Sequence, residues 1–167
     1  ASIETEALQL YQRRKQRVDA AGGMTLVQAL LVKLPQQASK REEQQAKLLA
    51  DSIATALKQG ADAAPFLARY ADDIDATEHQ EQGVWLYPGE TLPEFETQMQ
   101  QQPIGTWGDV FVSPAGYHIL KVIARQPYFT YEEVRDGLLK FISQRRLRRQ
   151  LRAMQQESKP TSGKDST

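Results

Sequence analysis

The chain offers two imidazoles, His79 and His118, and no thiol. Thiolate nucleophiles, disulfides and cysteine-held metals are therefore excluded together. His118 sits in Ser-Pro-Ala-Gly-Tyr-His-Ile-Leu-Lys-Val, residues 113–122, where a tight turn runs straight into a strand. An imidazole so placed serves either as a structural hydrogen-bonding group or as one polar wall of a ligand groove. His79 follows Asp72, Asp73, Asp75 and Thr77, and oxygen donors at that spacing raise the question of a cation loop. The glycine and the closing bidentate glutamate of a calcium loop are missing where they should fall, so a solvated acidic loop without metal is expected. Arg145, Arg146, Arg148, Arg149 and Arg152 form a basic run that could hold phosphate, lipid or an acidic partner, or simply face solvent. Lys+Arg and Asp+Glu number 21 each. That balance, with no base-stacking module in view, argues against nucleic acid. Trp85, Tyr87, Phe95, Trp107 and Phe111 suit a peptide groove or an ordinary core.

The chain has 167 residues, 40% of them hydrophobic and 25% charged, enough for one moderate core with helical appendages. No window approaches the apolar length of a membrane span. The chain opens on Ala1 with no apolar signal-like run, which points to a removed targeting segment or an excised piece.

Apolar residues at helical spacing from Ile3 to Val18, closed by Gly22 and Gly23, predict an amphipathic helix. The Leu- and Val-rich run 24–35 ends at Pro35 and reads as a buried strand. Ser39 and Glu42 form a capping box for a long helix that runs to Gly60. A short helix over 63–71, a polar loop, a short aromatic strand at 84–87 and a helix opened by Pro93 follow. Segments 106–112 and 116–124 read as two strands of an antiparallel hairpin. Thr130 and Glu133 cap a final long helix, and the polar tail 158–167 reads as disordered. The expected layout is a flanking helix over 1–23, a central domain over 24–127, a C-terminal helix over 128–157, and the tail.

That order, with particular residues, resembles the parvulin or rotamase (PpiC-type) family of peptidyl-prolyl isomerases. Gln28 to Lys33 stands where the family has its first-strand Arg-His-Ile-Leu-Val-Lys motif, and Tyr70 to Asp73 matches the end of its second helix. Gly83-Val-Trp85 is similar to the tail of the family's Gly-Gly-Asp-Leu-Gly-Trp motif. Leu92 to Phe95 resembles the helix that lends an aromatic to the proline pocket, and Gly105 with Gly116 to Val122 resembles the closing hairpin. The flanking helices resemble those of exported isomerase-chaperones such as SurA, PrsA and PpiD, where such helices build a chaperone or dimer module. The resemblance implies an α+β fold with a small, mostly antiparallel four-stranded sheet packed by helices. It also implies a periplasmic or extracytoplasmic location, with any membrane anchor carried by a segment not present here.

In this family, the resemblance implies, two histidines joined through hydroxyls lie beneath a proline pocket, with a Cys or Asp near the substrate carbonyl. Rotation about an X-Pro bond has a barrier of roughly 20 kcal/mol from amide resonance, so the catalyst must stabilise a twisted amide and needs no metal, cofactor or proton transfer. His118 and Asp73 stand at two of these catalytic positions, whereas the first-strand histidine is Ala29. The stretch matching Gly-Gly-Asp-Leu reads Gln80-Glu81-Gln82, leaving only Gly83. Leu92 and Phe95 are expected to grip the proline ring, with Trp85, Ser113 and Tyr117 nearby as further substrate-binding residues. Ser113 or Tyr117 would supply the hydroxyl that pairs with His118, since a buried polar group without a partner costs about 1–3 kcal/mol. The strands bearing Ala29 and His118 should lie side by side over a cleft.

The function implied is binding of proline-containing segments of unfolded polypeptides, with isomerase activity weak or lost. The alternative is a non-catalytic chaperone or assembly module that uses the terminal helices. Val134, Leu138, Phe141, Ile142, Leu147 and Leu151 would form one apolar stripe there, and with Leu10 and Val18 it could also close a homodimer.

Overall fold

The computed structural model describes residues 2–71 and 82–158. Their packing separates two compact units, residues 17–128 and residues 2–16 with 129–158. In chain order the elements are α1 (Ile3–Ala20), β1 (Met24–Lys33), α2 (Lys40–Lys58), α3 (Ala64–Tyr70), β2 (Val84–Leu86), α4 (Pro93–Gln101), β3 (Phe111–Ser113), β4 (Gly116–Gln126) and α5 (Tyr131–Ser158). The expected acidic loop, Asp73 and His79 within it, and the tail from 159 onward lie outside the described residues.

The larger unit is built on one antiparallel sheet of order β2-β1-β4-β3, as the α+β reading required. Strand residues alternate between faces, so each face collects its own helices. Leu30, Val32 and Ile119 meet α2 through Ala50, Ile53, Ala54 and Leu57, and α3 through Leu67. Those α2 positions recur at helical spacing. The helix is started by the expected capping box, in which Glu42 N–H donates to Ser39 Oγ at 3.1 Å and Ser39 N–H donates to the Glu42 carboxylate at 3.2 Å. The opposite face carries Val27, Leu120 and Val122, and packs against Phe95 and Met99 of α4. Fully burying each such side chain contributes about 1.5–3 kcal/mol, so the two layers on β1 and β4 dominate the unit's stability.

The strand expected over 106–112 is reduced to Phe111–Ser113. The preceding segment still follows β4, through Gly105 N–H to Val122 O at 2.7 Å and Gly108 N–H to Leu120 O at 2.9 Å. Gln102 interrupts a regular ladder there. Its buried side-chain amide donates to Leu120 O, and to Thr106 O at 3.1 Å. Gly108 lies so close to that amide that a Cβ would overlap it. Arg125 adds a clamp by donating to Met99 O and Gln102 O, the carbonyls at the end of α4. The Pro114-Ala115 turn closes on Gly116, whose φ of 145° and contact with the Val32 carbonyl leave no room for a side chain.

In the helical unit, Ala7 and Tyr11 of α1 are buried, as are Leu138 and Ile142 of α5. Tyr11 Oη donates to Phe129 O at 2.8 Å, and its ring lies 5.3 Å from that of Tyr131. Glu4 pairs with Arg135 and Glu6 with Arg146, each at 2.8 Å. The single stripe expected on α5 is corrected. At about 100° per residue, Leu147 stands roughly 140–180° around the axis from Ile142 and Leu138. Leu138 and Ile142 are consumed in packing, while Phe141, Leu147, Leu151 and Met154 stay exposed. Val18 is likewise unavailable to a dimer face, being fully buried within the larger unit.

Candidate functional site

β1 and β4 are adjacent, with Ala29 opposite Leu120 and Leu31 opposite His118. Ala29 and His118 are thus diagonal neighbours on the face covered by α4, a separation of about 7–8 Å for such positions. That covering is tighter than the expected cleft. His118 is only 1% exposed, because α4 and β3 bring rings against it. Phe95 meets the imidazole edge-on at 4.8 Å, and Phe111 stacks on it at 5.1 Å and 19°. The two phenyl rings meet each other edge-to-face at 5.2 Å. Ala29 packs against the same apolar cluster, so no polar group stands at the first-strand position.

Ser113 is a hydrogen-bond partner of His118: its Oγ lies 2.5 Å from His118 Nε2 and also accepts from Ala115 N–H at 3.1 Å. Strand parity explains the choice between the two hydroxyls. In β3–β4 register Phe111 is opposite His118 and Ser113 opposite Gly116, so all four share one face, and Tyr117 must point to the other. There Tyr117 packs with the α2 and α3 cluster. Trp85 is separated in the same way. Val84 and Leu86 join the α4-side cluster, which turns Trp85 between them to the opposite face. The structure therefore brings together His118, Ser113 and Phe95 from the expected set, and removes Trp85 and Tyr117 from it.

Leu92 is the N-cap residue of α4 and is 45% exposed, outside the buried cluster. The buried α4 side chains of that cluster are Phe95 and Met99, four residues apart on one helix face. Met99 is a neighbour of this site that the sequence reading passed over, while Phe111, expected only as one of five groove or core aromatics, is the ring stacked on His118. The sequence signals that could have found them are the parity of 111 with 113 and the spacing from 95 to 99. Among the described residues no cluster of three or more His, Cys, Asp or Glu side chains could hold a metal ion.

A buried imidazole bonded to the Ser113 hydroxyl and packed against Phe95 and Phe111 can orient a polar contact beneath a ligand. It has no second imidazole to share a proton with at position 29.

Comparison with known proteins accords with this geometry. The family model of the PpiC-type PPIase domain matches residues 8–126. The chaperone SurA of Burkholderia lata is 32% identical over 125 residues, 72% of this chain and 27% of that protein. The foldase protein PrsA 3 of Bacillus cereus is 29% identical over 107 residues, 64% of this chain and 36% of that protein. The chain thus spans about a quarter to a third of the length of these relatives. A crystal structure of a PpiC-type peptidyl-prolyl cis-trans isomerase domain superposes with a TM-score of 0.55 at 17% identity, covering 65% of this chain and 96% of that domain. The solved isomerase domain shares this fold, and the chain belongs to the PpiC-type, parvulin-like peptidyl-prolyl isomerase family, with SurA and PrsA proteins among its relatives.

Proposed function

We propose that the chain is the parvulin-like part of an extracytoplasmic folding factor, which binds proline-containing segments of unfolded polypeptides and has weak or no isomerase activity. The observation that supports this most directly is the pairing of a buried imidazole with an apolar neighbour at the first-strand position. His118 bonds to Ser113 Oγ, while its diagonal neighbour across the strands is the methyl group of Ala29. Apolar packing at that position leaves one half of a two-histidine network. In this reading Phe95 and the exposed Leu92 contact the proline ring, Ser113 holds the imidazole, and Asp73 faces the substrate carbonyl. The twisted amide then gains less stabilisation than a complete site would supply. Residues 24–127 carry this site and the flanking helices serve as a chaperone module. The partner is polypeptide rather than nucleic acid, and any membrane association comes from a segment outside this chain.

Exchange NMR on a short Ala-Pro peptide tests the proposal. Little or no acceleration is expected at enzyme concentrations that shift the peptide's signals by binding. Strong acceleration abolished by His118→Ala would overturn the weak-activity reading, and absence of binding would overturn the site.

The exposed side chains of α5 favour a second reading. Leu147, Leu151 and Met154 recur at i, i+4 and i+7, an apolar strip on a helix whose other sides are rich in arginine. Non-catalytic client binding or dimerisation through this strip predicts that deleting residues 128–167 removes suppression of client aggregation. Equal protection by the truncated chain would sink it.

A further inference from the structure

β3 ends the sheet, and among the described residues nothing pairs with its outer side. Its register fixes which backbone groups face outward. The Pro114-Ala115 turn closes at the hydrogen-bonded pair Ser113 and Gly116, so the next pair, Val112 and Tyr117, is non-bonded. The Val112 N–H and C=O therefore point away from β4. Apart from its three-residue length, the edge carries none of the usual protections: Phe111–Ser113 contains no charge, no proline and no bulge, and Val112 is 56% exposed.

This edge opens into a trough of about 510 Å³. Lys47 and Asp51 of α2 form one wall, and Glu94, Thr97 and Gln98 of α4 form the other. Phe111 belongs both to the trough and to the ring stack on His118, which makes the edge continuous with the candidate site. Among the described residues neither Asp51, Glu94 nor Lys47 makes an ion pair. Two uncompensated carboxylates against one ammonium give the walls a net negative charge at neutral pH.

We propose that the open edge of β3 takes an extended segment of another polypeptide by strand addition, preferring apolar segments that carry lysine or arginine. The incoming backbone bonds to Val112, and its alternate side chains fall toward α2 and toward α4. The proposal rests on the reading of the chain as a polypeptide-binding module, but it requires no proline in the segment and no isomerase activity.

The test is an amide-resolved NMR titration of the full chain with a capped, proline-free peptide of alternating valine and threonine bearing a lysine at each end. The signals of Val110, Phe111 and Val112 are expected to shift. Val112→Pro removes the outward N–H at an edge position that tolerates proline, and is expected to weaken binding roughly three- to tenfold, the loss of one backbone hydrogen bond. Should that variant disturb the hairpin, Asp51→Lys with Glu94→Lys, both on helix surfaces, should weaken binding of the lysine peptide and strengthen that of its glutamate counterpart. Silence at Val110–Val112, or an affinity unchanged in all variants, overturns the inference. A proline peptide that perturbs His118 and Ser113 while the lysine peptide leaves β3 untouched overturns this inference alone. Shifts at β3 without any response around His118 to the proline peptide support it and overturn the proline site instead.

Discussion

Ser113→Ala isolates the contact on which the candidate site is built. The hydrogen bond between Ser113 Oγ and His118 Nε2 is 2.5 Å long and joins residues only 7% and 1% exposed. Removing the hydroxyl takes a partner from a desolvated ring nitrogen that water cannot readily reach, which costs about 1–3 kcal/mol. His118→Phe behaves differently. A phenyl ring can occupy the slot between Phe95 and Phe111, and Ser113 Oγ keeps its contact with Ala115 N–H, so the main cost is overpacking, about 1–2 kcal/mol. The double variant removes both polar partners and should be more stable than the sum of the singles by roughly 1 kcal/mol. Urea unfolding followed by tryptophan fluorescence reads this directly, because Trp85 and Trp107 both lie in the unit formed by residues 17–128. With a slope of about 2 kcal/mol per molar urea, Ser113→Ala should lower the midpoint by roughly 0.5–1.5 M. An unchanged midpoint, or strictly additive singles, would refute the claim that this hydroxyl satisfies the imidazole.

Gly116→Ala should cost at least about 3 kcal/mol and impair soluble expression, because φ is 145° and the new methyl meets the Val32 carbonyl; a wild-type urea midpoint would contradict the turn geometry. Arg125→Ala leaves the Met99 and Gln102 carbonyls without their guanidinium donor, and thermal unfolding should show a loss of about 1–2 kcal/mol. Glu6 is held below the ordinary carboxylate value of 4.5, chiefly by its hydrogen bond from Arg146, with the charges of Arg146 and Arg145 assisting. Its folded-state value is therefore the lower one, so the pair's contribution is whole above 4.5 and disappears as the pH falls through the depressed value. Circular dichroism melts at neutral and acid pH should show an acid loss that shrinks in Glu6→Gln and in high salt; identical pH profiles for both chains would exclude the pair as its source.

Several elements were legible because their causes are local. The capping box of Ser39 and Glu42 and the helical period of Ala50, Ile53 and Leu57 describe α2 within a few residues of its ends. The glycine-led run from Gly116 to Val122 marks β4, since only a residue without Cβ passes Val32 there. Position 29 is equally a matter of sequence: an alanine cannot hydrogen-bond through its side chain in any fold.

Other features depended on partners distant in the chain. Residues 106–110 have the composition of a strand, yet the Gln102 side chain shares the Leu120 carbonyl with Gly108 N–H, and the segment follows β4 only through isolated bonds rather than a regular ladder. Val18, Leu138 and Leu147 look alike as members of helical stripes. Tertiary packing buries the first two and leaves the third in solvent, because a helix can cover only part of its circumference. The same holds for His118. Its residue type and place in a family motif were set by the sequence, whereas its choice of Ser113, its enclosure by Phe95 and Phe111, and the exclusion of Trp85 and Tyr117 came from strand register and from which face α4 covers. Local periodicity states which residues share a face, and only the assembled sheet decides what that face meets.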